Sequence, residues 1–197
     1  YEFLRSKNIE INNMIDLGAN YGEISLYFCR KNPNARILAV EPSIENFSMM
    51  ESNCAYQLFP TDNIVLLKEA VSDKPGEVNI TYGMGAQNTT IFNRHYYDNL
   101  GKMVKRTEKV KSDTLSSLIR RYNFNSVDFI KVDIEGAEPL LYGSLKENLS
   151  NIRSIYIEVS SRNESSKYIQ LFEMMQNSNM LCYSSQGKRL ESLDAII

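Results

Sequence analysis

Two carboxylates frame the most chemically suggestive turn in this sequence. Asp16-Leu17-Gly18-Ala19-Asn20-Tyr21-Gly22 follows a short apolar run, and Glu41 closes the next such run, 19 positions after Gly22. Glycines at a strand-to-helix turn let the backbone bend sharply and approach a ligand with no Cβ in the way. An acid about 20 residues further on is spaced to accept hydrogen bonds from both ribose hydroxyls of an adenosine cofactor. A nicotinamide dinucleotide requires Gly-x-Gly-x-x-Gly, with a helix amino terminus facing the pyrophosphate. Here the spacing is Gly18-x-x-x-Gly22, no Gly-Lys-Ser/Thr follows, and the first basic residue after Asp16 is Arg30. Asp16, Gly18, Asn20, Gly22 and Glu41 therefore suit an adenosine ligand carrying an ammonium and a sulfonium rather than phosphates. The alternative is an ordinary β–α connection in which Asp16 acts only locally.

A third contact is expected where the next apolar run ends. Glu69 can accept from an adenine amino group while the backbone of Ala70 and Val71 reads the ring edge; otherwise Glu69 is a solvated surface carboxylate. On the opposite side, Lys131-Val132-Asp133-Ile134-Glu135-Gly136-Ala137-Glu138 puts four ionisable groups just beyond a buried run. Strand alternation places Lys131 and Asp133 on one face. Such groups are paired with each other, as a structural ion cluster, or with a ligand. Glu158, inside another apolar run, needs a partner if buried. Transfer to a hydroxyl needs an aligned acceptor and a group to take its proton. Asp133, Glu135 and the single histidine, His95, are the candidate bases, with Lys131 beside them, although a lone loop histidine is more often merely exposed. Clustered carboxylates can bind Mg²⁺, but no ligand spacing demands a metal, and none is assigned.

The elements that must position these residues follow from periodicity. Strands are expected at 14–17, 36–40, 63–67 (ending near Glu69-Ala70), 127–133 and 154–159. Helices are expected over 21–31, from an N-cap at Ser43 to about Leu58, and over 114–122, 137–147 and 165–177. Alternating strands and helices argue for βαβ units and a doubly wound, mostly parallel α/β sheet, with ligands at the carboxyl ends of its strands. Two short β segments close the chain, near 181–183 and 195–197. Between Asp73 and about 112 the rhythm breaks into turn signals and an alternating Val78-Asn79-Ile80-Thr81-Tyr82, which predicts antiparallel excursions and loops that shape an acceptor pocket. The whole of 1–197 reads as one domain.

Composition sets further bounds. A formal net charge of −2 gives no reason to expect nucleic acid or an anionic membrane as partner. The Lys102, Lys105, Arg106, Lys109, Lys111 cluster either favours an acidic acceptor or, more simply, forms a solvated hairpin face. The three cysteines, Cys29, Cys54 and Cys182, are far apart and form no Cys-x-x-Cys pair. They read as small buried hydrophobes in a reducing compartment, so a cytoplasmic location is expected. The chain opens at Tyr1 rather than Met, as a fragment or processed form would. Within it no signal-peptide pattern occurs, nor any run near the roughly 20 apolar residues that span a bilayer. Oligomeric state is left open.

Taken together, these residues resemble the FkbM-type methyltransferases. The likeness is carried by Asp16-Leu17-Gly18-Ala19-Asn20-Tyr21-Gly22, Glu41-Pro42 with Asn46-Phe47 and Asn53, Ala70-Val71-Ser72-Asp73, and Asp113-Thr114-Leu115. Its most specific element is Lys131-Val132-Asp133-Ile134-Glu135-Gly136-Ala137-Glu138, with Gly143 beyond it. The resemblance implies a Rossmann-like methyltransferase sheet with an antiparallel last strand. It implies S-adenosylmethionine as cofactor and O-methylation of a hydroxyl on a sugar, glycan or natural-product acceptor. It also implies Asp16, Gly18, Asn20 and Gly22 around the methionine part, Glu41 on the ribose, and Asp133 with Glu135 facing cofactor and acceptor. The chain departs from some relatives at Val159-Ser160-Ser161, where they carry a histidine or another distinctive group. Two other readings stay open: an N-directed methyltransferase of a base or protein, and a non-catalytic module that binds an adenosine ligand. Against the former, the fourth strand lacks an Asn/Asp-Pro-Pro-aromatic loop.

Overall fold

The computed structural model describes residues 10–82, 89–90, 96–97, 103–104, 106–159, 165–184 and 187–190. Its centre is a five-stranded, all-parallel sheet of β1 (Asn13–Leu17), β2 (Arg36–Val40), β3 (Ile64–Leu67), β10 (Phe129–Val132) and β11 (Ile155–Ile157). The strand order is β11-β10-β1-β2-β3. The chain winds outward from β1 to β3, then returns to lay β10 on the other side of β1. That reversal opens a crevice between the carboxyl ends of β1 and β10, the position where open α/β sheets bind ligands.

Strand alternation divides the core between the two faces. Met14, Ile37, Ala39 and Phe129 pack against Phe28 and Cys29 of α1 (Glu23–Lys31) and Met50 and Cys54 of α2 (Ile44–Ala55). Ile15, Leu17, Leu38, Val40, Ile130 and Val132 point the other way. There they meet α3 (Leu115–Arg121), α4 (Tyr142–Asn148) and α5 (Ser165–Asn177). The cysteines are free; Cys29 and Cys54 are buried. No helix among the described residues is long and apolar enough to cross a membrane.

Local chemistry sets the element ends. Ser43 and Thr114 cap α2 and α3, each side chain accepting from the backbone N–H three residues on. Helix α1 starts two residues later than periodicity predicts, because Asn20 (φ 52°) and Gly22 (φ 81°) are left-handed and extend the turn. The helix expected from 137 is a 3₁₀ turn, Glu138–Leu141, ahead of α4. Pro139 suits a first turn, where its missing N–H costs no intrahelical bond.

The region after β3 builds a second sheet, β4-β9-β5-β6, from β4 (Ala70–Val71), β5 (Gly76–Tyr82), β6 (Thr89–Thr90) and β9 (Arg106–Asp113). β5 runs antiparallel to β9 from Gly76↔Ser112 to Tyr82↔Arg106. A separate antiparallel pair joins β7 (Tyr96–Tyr97) to β8 (Met103–Val104). The run expected to end near Ala70 is thus split, with Ile64–Leu67 in the central sheet and Ala70–Val71 beside β9. Near the chain's end, Tyr183 and Arg189 form an isolated antiparallel bridge; the expected segment at 195–197 lies outside the described residues.

Candidate active site

A cleft opens at the reversal point, where open α/β sheets place their ligands. The β1 turn and β2 end supply Gly18, Asn20, Val40, Glu41, Pro42 and Asn46. The β10 loop supplies Asp133, Ile134, Glu135 and Ala137, and the second sheet with its approach supplies Glu69, Ala70, Val71 and Ile80.

The turn from Gly18 to Gly22 has its backbone groups held from several sides. Gly18 and Ala19 N–H both donate to the Val40 carbonyl at 3.0 Å, and Gly22 N–H donates to Ala19 at 2.8 Å. Asn20 N–H donates to Glu41 Oε2 at 2.9 Å, and Asn53 of α2 donates to the Tyr21 carbonyl at 2.9 Å. Glu41 is 4% exposed. Its Oε1 also accepts from Ser43 N–H at 3.0 Å and Asn46 Nδ2 at 3.4 Å. Burial pushes the Glu41 carboxyl above its ordinary range, opposed by these donors. Asn20 Oδ1 is buried with no hydrogen-bond partner among the described residues.

The glycines bend the backbone as expected, in left-handed conformations, and close packing adds a second reason for them. At Gly18 (φ 73°) a Cβ would stand 1.8 Å from the Asp133 carbonyl oxygen; at Gly22 (φ 81°) it would stand 2.9 Å from Met50 Cγ. Both positions exclude side chains because the protein itself fills the space.

Asp16 and Lys131 are register partners on β1 and β10. Both point to the α1 side beneath the turn, where Asp16 is fully buried and Lys131 is 5% exposed. Neither they nor Gly22 line the cleft. Ser25 of α1 donates to Asp16 Oδ2 at 2.8 Å. Lys131 Nζ donates to the Gly18 carbonyl at 2.6 Å and lies 3.5 Å from Asp16 Oδ1 and 3.4 Å from Asp133 Oδ2. Burial alone would lower the lysine's pKa, but the two carboxylates outweigh it and hold the ammonium above its usual range.

Asp133 and Glu135 face the cleft, Asp133 with its side chain 30% exposed. Glu135 (φ 55°) and Gly136 (φ 94°) bend the loop in left-handed conformations. Glu138, read in the sequence only as part of a charged run, organises that loop. It is fully buried and accepts from Ile134 N–H at 3.0 Å, Gly136 N–H at 3.2 Å and the Tyr168 hydroxyl of α5. Tyr168 lies 30 residues on, so only tertiary packing reveals it. Asn46 is the other group that spacing missed, although it sits one helical turn beyond the Ser43 cap. Glu158 is exposed, so the condition that would require a buried partner does not arise.

Glu69 lines the cleft, yet its carboxylate is engaged within the protein. Arg121 grips it in a fork at 3.2 and 2.7 Å, and Lys111 reaches it at 2.6 Å. Although burial opposes ionisation, these donors hold the carboxyl below its ordinary range. A depressed native value adds stability that is complete above the unfolded value near 4.3 and is lost as pH falls through the native one. Glu69→Gln is expected to flatten the acid limb of stability below about pH 4.5, measured as urea midpoints across that range. An unchanged acid limb would show that the triad does not couple to folding. Elsewhere in the basic cluster, Arg106 pairs with Glu45, and Lys109 with Glu77 at 2.6 Å, as a solvated face would. His95, Lys102 and Lys105 lie outside the described residues.

A model of the FkbM methyltransferase domain matches residues 16–190. The chain is 30% identical over 169 residues to methyltransferase sdnD of Sordaria araneosa, covering 74% of this chain and 65% of that protein. It is 26% identical to methyltransferase 1 of Beauveria bassiana, covering 74% and 64%. It is 23% identical to the 2-O-methyltransferase NoeI of Sinorhizobium fredii, covering 76% and 63%. The chain thus spans just under two thirds of the length of these relatives. The family match begins at Asp16 and runs past Tyr168, taking in both walls of the cleft and the groups that brace them, and by it the chain belongs to the FkbM methyltransferase family.

Proposed function

We propose that the chain is an S-adenosylmethionine-dependent O-methyltransferase acting on a hydroxyl of a sugar, glycan or natural-product acceptor. One observation carries this reading: at the sheet's reversal point, a buried carboxylate faces a second wall bearing Asp133 and Glu135. No Lys or Arg lines the cleft among the described residues, and the nearby Arg121 and Lys111 are committed to Glu69. A pyrophosphate would find no countercharge there, whereas an ammonium and a sulfonium meet carboxylates.

The residues present fit the cofactor. Glu41 Oε2 keeps one lone pair for a ribose hydroxyl beyond its bond to Asn20, while Oε1 is filled by Ser43 and Asn46. The unpartnered Asn20 Oδ1 offers an acceptor, and the backbone of Ala70 and Val71 borders the same cleft. When bound, S-adenosylmethionine supplies an electrophilic methyl group on sulfur. The chain's part is to hold that ligand, align the hydroxyl oxygen and take its proton on Asp133 or Glu135. Transfer to a hydroxyl is also the chemistry in the name of the 2-O-methyltransferase relative. The β5 side of the cleft, with Ile80, belongs to the inserted region assigned to the acceptor.

Calorimetric titration with S-adenosylmethionine and S-adenosylhomocysteine tests the cofactor. No binding of either at millimolar concentration sinks the proposal. Mass detection of methylated products from a panel of hydroxylated and amine-bearing acceptors then tests the reaction. Binding without any product would favour a non-catalytic module, and product from amines alone an N-directed enzyme. Glu41→Ala is expected to weaken cofactor binding by about 1–3 kcal/mol, or roughly 5–150-fold in Kd. An unchanged Kd would remove Glu41 from the site.

A further inference from the structure

Lys131 belongs to the charged run where catalytic groups are sought, yet it faces away from the cleft and into the body of the protein. We propose that Lys131 is a positioning residue. Its ammonium ties the carboxyl end of β1 to that of β10, and so fixes the wall on which the cofactor rests. This rests on reading the cleft as an S-adenosylmethionine site.

The geometry is that of a tie. An ammonium has three N–H donors and no lone pair; Lys131 Nζ donates to Gly18 O at 2.6 Å and forms ion pairs with Asp133 Oδ2 at 3.4 Å and Asp16 Oδ1 at 3.5 Å. Held in this way it has no capacity to act as a base. One partner lies on the turn after β1, one at the base of that turn and one on the loop after β10. Those two connections are already in backbone contact, since Asp133 N–H donates to Leu17 O at 3.1 Å and the Asp133 carbonyl fills the space beside Gly18. On the turn's other side, Glu41 holds Asn20 N–H at 2.9 Å. The turn is thus pinned by a side chain from each neighbouring strand, Lys131 of β10 and Glu41 at the end of β2. A buried ion pair contributes little net stability over an apolar pair of similar volume. Placement is what this one supplies.

Removing Lys131 alone leaves Asp16 buried without its cation and confuses charge with placement. The test therefore compares wild type, Asp16→Asn, and the double variant Asp16→Asn/Lys131→Met. Each is read by thermal melting, by calorimetry with S-adenosylhomocysteine, and by hydrogen–deuterium exchange of peptides covering 17–22 and 133–137. Asp16→Asn is expected to keep its affinity within about threefold, since the bond from Lys131 to Gly18 survives. The double variant is expected to melt close to wild type, yet bind about tenfold more weakly and exchange faster in both loops, with the strands still protected. Wild-type affinity and loop protection in the double variant would overturn the proposal and leave Lys131 only the neutralisation of Asp16. A loss already complete in Asp16→Asn, or faster exchange across the whole sheet, would overturn it as well. If wild type binds no cofactor, the functional reading fails on its own, while loop exchange in the ligand-free protein still decides whether Lys131 ties the two connections.

Discussion

Replacing Asp133 with Asn is expected to lower turnover about 10²–10⁴-fold, the range of a lost general base, while cofactor affinity shifts by less than about threefold. The side chain reaches the cleft from the end of β10, and Lys131 lies 3.4 Å from Oδ2. Asn has nearly the same shape but cannot take a proton. The backbone of residue 133, which bonds Leu17 and packs on Gly18, is unchanged by the substitution. Steady-state rates on an acceptor found by the panel, set beside calorimetry of the same variant, make the measurement. Equal losses in rate and affinity would refute a catalytic role for Asp133. Glu135→Gln is the companion: a collapse in rate there, with Asp133→Asn near wild type, would move the base to Glu135.

Gly18→Ala should be among the most damaging single-methyl additions available to this chain. The left-handed backbone at φ 73° costs an alanine about 1–2 kcal/mol. The new Cβ would also fall 1.8 Å from the Asp133 carbonyl oxygen, and overpacking of this kind costs about 1–3 kcal/mol more. The obstacle is backbone anchored in a parallel sheet and has no rotamer by which to yield. The expected sum, about 2–5 kcal/mol, should appear as a lower urea midpoint, together with weakened cofactor binding, because the two walls of the cleft are forced apart. Gly22→Ala should be milder, since the atom in its way, Met50 Cγ at 2.9 Å, is farther off and belongs to a side chain rather than to backbone. Stability of Gly18→Ala within about 0.5 kcal/mol of wild type would refute this close contact.

Much of the site's location was legible from local signals. Ser43 and Thr114 each precede an apolar-periodic run and cap the helices they announce. The helix over 165–177 ends where its pattern ends. Alternation put Lys131 on the face opposite Val132, which is where the sheet holds it. Left-handed turns and mixed helical ends were harder to read. Asn20 adopts φ 52° in a turn held from outside, its own N–H by Glu41 after β2 and the Gly18 carbonyl by Lys131 of β10, and propensity within the turn carries no record of those partners.

The roles of charged residues divided along the same line. Spacing brought Asp16, Gly18, Asn20, Glu41, Asp133 and Glu135 to one end of one sheet, because a strand's carboxyl end is a local property of the pattern that makes the strand. Tertiary structure alone decided which of them line the cleft. It sent Asp16 and Lys131 beneath the turn as a cross-strand pair, bound Glu69 to Arg121 and Lys111, and bent the Asp133 loop around Glu138 and Tyr168. A side chain's partners depend on which strands and helices lie beside it, and in a sheet ordered β11-β10-β1-β2-β3 those neighbours come from distant parts of the chain.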